Sequence, residues 1–330
     1  MRSNMSFFTN IFARERGKKV SAFLSANRPF IALILLLTVC MISNEFFRSP
    51  QNLINITRQV ACSGIAALGM TFVIIAGGID LSIGSLLAIS GVAGVMAMNH
   101  IASPIPAALA AFFVPLILGI AGGALNGLLI TIGRIPSFIA TLGTLSIYRS
   151  LSIYFADAGT VSSSNEIFRN IGNLVILGIP FAAWVFLGLA VVLGILLKHT
   201  PFGRHVCAIG SNAKGAKYAA VKVRLVSFYT YLIAGLCAGI SAFLFSSRLS
   251  AISSTNAGLS YELDAIAAAI IGGTSMSGGK GSIAGTVAGV FILGIISNAL
   301  VMWNAPVNLQ GLVKGSVIII AVLIQRKKNS

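Results

Sequence analysis

Gly77-Gly78-Ile79-Asp80-Leu81-Ser82-Ile83-Gly84 lies between two apolar runs, 60–77 and 82–99, in which the carboxylate of Asp80 is the one charge within reach. Each run approaches the roughly 20 apolar residues that a membrane-spanning helix needs. Paired glycines end helices, and backbone that leaves the helix at membrane depth must be buried in protein or line a cavity. The stretch therefore reads as a break inside a membrane protein. A second break recurs far along the chain at Gly272-Gly273-Thr274-Ser275-Met276-Ser277-Gly278-Gly279-Lys280-Gly281.

Composition supports the reading. Of 330 residues, 56% are hydrophobic and only 9% are charged, with 35 glycines and a mean hydropathy of +0.94. Soluble proteins carry about 25% charged residues, so seven acids and 23 bases cannot cover a soluble protein of this length. Soluble enzymes, collagen-like chains and disordered chains are excluded. The net charge of +16 points either to nucleic acid or to cytoplasmic loops that collect Lys and Arg. The bases sit between apolar runs, which favours the second, with no nucleic-acid role. Cys40, Cys62, Cys207 and Cys237 show no paired spacing and read as small hydrophobes. His100, His199 and His205 form no metal cluster in the sequence.

The expected fold is an all-α polytopic membrane protein with about ten transmembrane helices, a possible internal duplication, and glycine-rich breaks near 77–85 and 272–282. Residues 1–29 form a basic cytoplasmic N-terminus, 30–326 a single transmembrane domain, and 327–330 a cytoplasmic tail. The apolar runs fall at 29–47, 60–77, 82–99, 105–132, 136–155, 180–197, 225–247, 262–278, 283–303 and 310–326. The more polar Pro50–Arg58 reads as a short interfacial helix. No A-x-A site follows the first run, so it is expected to be a retained helix. With the N-terminus inside, ten spans return the C-terminus inside and put 17 of 23 bases on the inner side. Six of them, Lys198, Arg204, Lys214, Lys217, Lys222 and Arg224, share one loop, 198–224, whose part 213–222 favours a short helix. That loop is either a topology-setting solvated segment or a seat for a soluble partner.

At an offset of 195, Ile75, Gly77, Gly78, Ser82, Gly84, Val92, Ala93 and Gly94 match Ile270, Gly272, Gly273, Ser277, Gly279, Val287, Ala288 and Gly289. Duplicated halves flanking a substrate path are common in transporters. The two copies run in the same direction in a ten-span topology, so the repeat is parallel, convergent, or evidence that the count is off by one.

Polar residues inside apolar runs are candidates for the path. Asp80 reads either as a cap for the helix that follows or as a functional intramembrane acid. Lys280 reads as its ion-pair partner or as an inner anchor. Glu262 and Asp264, at the mouth of a span, favour the helix dipole or accept hydrogen bonds from sugar hydroxyls. Ser82, Asn126, Thr141 and Tyr148 are neutral hydrogen-bonding groups in or beside predicted spans. Such a lining suits an uncharged, polyhydroxylated solute and offers no ladder for a proton or sodium relay. The second break lacks the phosphate-loop pattern G-x-x-x-x-G-K-[ST], because Thr274 stands five before Gly279 and Gly281 follows Lys280.

From Leu53 to Leu323 the chain resembles the permease subunit of sugar-importing ABC transporters of the ribose/xylose/galactoside type, in a wider family that includes branched-chain amino acid permeases. The resemblance rests on Gly69-Met70-Thr71-Phe72-Val73-Ile74 leading into Gly77–Ser85, on Ser137-Phe138-Ile139-Ala140-Thr141-Leu142, and on Tyr261-Glu262-Leu263-Asp264-Ala265-Ile266-Ala267-Ala268 leading into Gly272-Gly273-Thr274-Ser275. It implies a multi-pass protein of the bacterial inner membrane that is not itself an enzyme and carries no cofactor or metal. It also implies three partners: an ABC ATP-binding subunit that holds ATP and Mg, a periplasmic or lipid-anchored sugar-binding protein, and a second permease copy as homodimer or heterodimer. Loop 198–224 would then carry the coupling helix, with Gly210, Ser211, Asn212, Lys214, Ala216 and Lys217 facing the ATPase. Ala208, Gly210, Asn212 and Ala216 match the usual pattern there. Ser211 replaces a second glycine, Ala213 a Glu, and Ala220 a Gly. The alternatives are an ion-coupled secondary transporter of a small neutral solute, an ABC permease for branched-chain amino acids, and a membrane-embedded enzyme or scaffold.

Overall fold

A computed structural model describes residues 27–326. The basic stretch 1–26 and the tail 327–330 lie outside the described residues, and with them most of the expected cytoplasmic N-terminus.

Thirteen helices follow in order among the described residues. They are α1 (Arg28–Ser43), α2 (Pro50–Ile75), α3 (Ile83–Asn99), α4 (Pro104–Thr131), α5 (Ser137–Phe155), α6 (Glu166–Asn173) and α7 (Phe181–His199), then α8 (Pro201–Ser211), α9 (Ala213–Tyr218), α10 (Val223–Leu249), α11 (Tyr261–Ile271), α12 (Ile283–Met302) and α13 (Val307–Arg326). Every predicted apolar run contains a helix. Five helices, α2, α4, α7, α10 and α12, are long and apolar enough to cross a membrane by length and composition. The expected ten spans are not established by this count. The run 262–278 in particular holds only α11, whose 11 residues reach about 16 Å at 1.5 Å per residue, half of a hydrocarbon core.

The fold is not purely α. Strand β1 (Thr160–Ser162) pairs antiparallel with β4 (Ala251–Ser253), and β2 (Val175–Ile176) pairs with β3 (Ile179–Pro180). The strands are two or three residues long, too short to leave a periodic signal in the hydropathy pattern. Pro50–Arg58 is not a separate interfacial helix either. Ser49 accepts a hydrogen bond from the Asn52 N–H, Pro50 takes the first helical position, and α2 runs unbroken for 26 residues. Its polar start is simply one end of a long helix.

The core is built around α2 and α10. Residues Val60 to Ile75 of α2 are buried at every position but one, Ser63. The face of α10 that carries Gly235 and Gly239 meets the face of α4 that carries Gly119 and Gly123, backbone to backbone: a Cβ on Gly119 would strike the Gly235 carbonyl, and one on Gly239 the Pro115 carbonyl. Small residues allow such approach in apolar surroundings, where van der Waals contact replaces the hydrophobic effect as the adhesive. Outward, α4 and α7 keep Leu109, Phe113, Ile117, Val191, Val192 and Ile195 exposed.

The two glycine-rich breaks share a helix–break–helix arrangement in α2–α3 and α11–α12, whose landmarks do not keep a constant offset of 195. Both breaks open with one cap. The Gly77 N–H donates to the Ile74 carbonyl and the Gly78 N–H to that of Val73, and the Gly273 and Thr274 N–H groups do the same to Ile270 and Ala269. Gly77 has φ +86° and Gly273 φ +93°, the left-handed residue this cap requires. The caps are thus related by 196 residues. The following helices start at Ile83 and Ile283 after Ser82 and Ser282, an offset of 200. The second break is four residues longer, and a single-offset comparison averages over that insertion.

Candidate functional site

After the cap at Gly77 the chain leaves the helix, and its backbone polar groups need partners. The first turns of α5 supply them. The Ile79 N–H donates to the Ser137 hydroxyl at 3.3 Å, and the Thr141 hydroxyl donates to the Ile79 carbonyl at 3.3 Å. Asp80 comes next, fully buried. Its Oδ1 accepts from the Ser82 N–H at 2.9 Å and from the Ser82 hydroxyl at 2.7 Å. Asn126 of α4 donates its amide to the Ser82 oxygen at 2.7 Å, and the Thr144 hydroxyl of α5 donates to the Asn126 carbonyl oxygen at 2.7 Å. A chain of four side chains thus runs from α5 through α4 into the break. The remaining carboxylate oxygen, Oδ2 of Asp80, is buried without a hydrogen-bond partner.

The carboxylate closes the turn onto Ser82, the residue that precedes α3, rather than bonding the helix's own first N–H groups. It does not pair with Lys280, which is exposed at the far end of the second break and appears in no ion pair among the described residues. Asp80 bonds neutral neighbours through Oδ1 alone, and of the two readings of Lys280 the ion pair with Asp80 is not formed.

Structure brings Asp80, Ser82, Asn126 and Thr141 together and divides Glu262 from Asp264. Two residues apart on a helix point about 200° apart. Glu262 faces the start of α3, where a Cβ on Gly84 would come 2.7 Å from its Oε2. Asp264 faces α13 and pairs with Lys314 at 3.0 Å. Beside that pair lies a cavity of about 30 Å³ edged by Gln59, Ser63 and Ser297. That is room for about one water.

Two functional neighbours escaped the sequence reading. Thr144 belongs to a buried stripe on α5, Thr141, Thr144, Tyr148 and Ser152, spaced at three and four residues and begun by the half-buried Ser137. The Tyr148 hydroxyl donates to the Gly122 carbonyl at 3.0 Å. This helix turns its polar face inward and its Phe138, Ile139, Leu142 and Ile147 outward, the reverse of a soluble amphipathic helix. The 3.6-residue period of its hydroxyls was the available signal. The second is Arg149, whose Nη1 donates to the carbonyls of Ser254, Thr255 and Ala257, at 3.0, 3.2 and 2.9 Å. It fastens α5 to the segment that leads into α11.

Loop 198–224 folds as a helical pair. Thr200 caps α8 by accepting from the Gly203 N–H, and Asn212 ends α8 and caps α9 by accepting from the Gly215 N–H at 2.9 Å. The second helix is shorter than expected, 213–218 rather than 213–222, because Ala220 turns left-handed at φ +60°. Ser211, Asn212, Lys214 and Lys217 are exposed, Ala216 is buried, and Gly210 is turned inward against the two breaks. Tyr218, which composition did not single out, stands 90% exposed at the end of α9.

The family model described as the permease component of branched-chain amino acid transport systems matches residues 52–322. The chain is 44% identical over 308 residues to the ribose import permease protein of Bacillus subtilis (strain 168), covering 92% of this chain and 93% of that protein. It is 35% identical to the ribose import permease protein of Escherichia coli (strain K12), over 93% of this chain and 96% of the relative. It is also 32% identical to the xylose transport system permease protein of the same strain, over 88% of each. No solved structure matches it.

Proposed function

The chain belongs to this permease family and is the sugar permease subunit of an ABC importer, a transport component rather than an enzyme, and from that premise we propose that its sugar passes the first glycine-rich break. The observation that carries the proposal is the buried chain Thr144–Asn126–Ser82–Asp80, with a carboxylate oxygen at its end that has no hydrogen-bond partner. Hydroxyl, amide and carboxylate groups around backbone that has left the helix suit a solute that presents hydroxyls and no charge. A pentose is the first candidate, since relatives named for ribose and xylose match over most of their length.

The rest of the assembly accords with the same reading. The chain crosses the bacterial inner membrane ten times, with both ends cytoplasmic. A second permease copy completes the path, a periplasmic or lipid-anchored binding protein delivers the sugar, and a separate ABC subunit binds ATP and Mg. Lys214, Lys217 and their exposed neighbours on α8 and α9 meet that subunit.

Reconstitution of the chain with its ATP-binding subunit and binding protein in proteoliposomes tests the function. Uptake of radiolabelled ribose is expected to require ATP, to stop with vanadate and to survive an uncoupler. Uptake that tracks an ion gradient without ATP would overturn the reading.

A further inference from the structure

We propose that Gly210 is a relay that joins the coupling loop to both glycine-rich breaks through backbone contact alone; the proposal rests on the chain's being an ABC importer permease. Three segments meet at this residue. The Ile75 carbonyl, at the end of α2, accepts a hydrogen bond from the Gly279 N–H of the second break at 2.8 Å. Gly210, one residue before the end of α8, is seated on that bond: a Cβ there would strike both the Ile75 carbonyl and the Gly279 N–H. The opposing residues are glycines as well. A Cβ on Gly278 would lie 2.9 Å from the Gly210 carbonyl, and one on Gly279 would strike the Ser211 hydroxyl. Ile75 leads directly into the first break, and a Cβ on Gly77 would come 3.9 Å from the Gly210 Cα.

A backbone junction has no rotamers to absorb a displacement, so it transmits motion where a side-chain contact would yield. Asn212 couples α8 directly to α9, and α9 carries the exposed Lys214 and Lys217. A push on α9 therefore reaches Ile75 and Gly279 together. Those two residues sit at the end of α2 and between α11 and α12, the helices that bound the two breaks. Gly210 is a positioning residue: it acts through the breaks and does not touch the sugar.

The test measures ATP hydrolysis and ribose uptake side by side in the reconstituted importer. Gly210→Ala is expected to keep hydrolysis within twofold of wild type while uptake falls at least tenfold. Gly188→Ala, on α7 and away from the loop, where a Cβ meets nothing within 4 Å, is expected to keep both. Ser211→Phe presses on Gly279 from an exposed position and covers the case in which Gly210→Ala is not recovered from membranes. It is expected to lower uptake without lowering hydrolysis. Uptake within twofold of wild type in either variant overturns the relay, as does parallel loss of uptake and hydrolysis in Ser211→Phe. Wild-type protein without ATP-driven uptake would sink the functional reading itself, a failure distinct from one confined to the variants.

Discussion

The two glycine-rich breaks start with one and the same cap and then diverge. In the first, the exposed polar groups of the chain are taken up by other helices: Ser137 and Thr141 bond Ile79, and Asn126 bonds Ser82. In the second, the backbone bonds mostly to itself, with the Ser275 N–H on the Lys280 carbonyl and the Gly278 N–H on that of Ser275. It reaches α2 through the Gly279 N–H, which donates to the Ile75 carbonyl. Cap geometry is local and needs a left-handed residue at one position. The course of the chain beyond the cap depends on which neighbours can satisfy the freed backbone. The first break is held by the bundle and carries the carboxylate; the second is largely self-supporting and touches the coupling loop.

Substitutions at the breaks test this contrast. The largest effect is expected for Asp80→Ala, which strips the Ser82 N–H and hydroxyl of their acceptor and costs about 2–3 kcal/mol, read as a lower melting temperature in detergent. Asp80→Asn keeps an acceptor oxygen and most of that stability. A tenfold loss of uptake in Asp80→Asn with normal membrane abundance would assign the charge to transport, and full uptake would leave it a turn-closing role. Next come Gly77→Ala and Gly273→Ala, each expected to cost about 1–2 kcal/mol from left-handed backbone. Neither site offers a close steric obstacle, so the two costs should agree; unequal costs would break the likeness of the caps. Asp264 and Lys314 hold α11 at its other end, and a double-mutant cycle with Asp264→Asn and Lys314→Met should give a coupling of about 1 kcal/mol for this partly exposed pair. The smallest effect is expected for Lys280→Gln, under about 0.5 kcal/mol. Combined with Asp80→Asn it should be additive, because the two side chains do not meet.

Much of this was legible in the sequence because membrane helices announce themselves by apolar length. The runs at 105–132, 225–247 and 283–303 mark helices to within a few residues. The glycine pairs mark both breaks, since a left-handed cap demands glycine. Asp80, Ser82, Asn126 and Thr141 stand out in sequence as polar residues in or beside apolar runs, but their hydrogen-bonded proximity does not. Thr144 and Arg149 were missed because single polar residues in a span look like noise until their helical face is compared. Asp264 and Glu262 were grouped by adjacency, whereas helical geometry sends them opposite ways. Lys314 escaped as Asp264's partner because 50 residues separate the two, and no local pattern reports a contact at that distance. The 195-residue offset failed for a related reason: a fixed register cannot describe two helix–break–helix segments whose breaks differ in length.

That difference in length sets a rule for anyone who would rebuild the protein. The two helix–break–helix segments share their first joint at 77 and 273 and their second at 82 and 282. A chimera that exchanges one half for the other keeps its helices in phase only if it is cut at these joints, with the four surplus residues carried along whole. A graft made at the constant spacing of 195 would rotate the second helix by five residues' worth of turn, about 500°, and so leave its small-residue face some 140° from the neighbour it was shaped to meet.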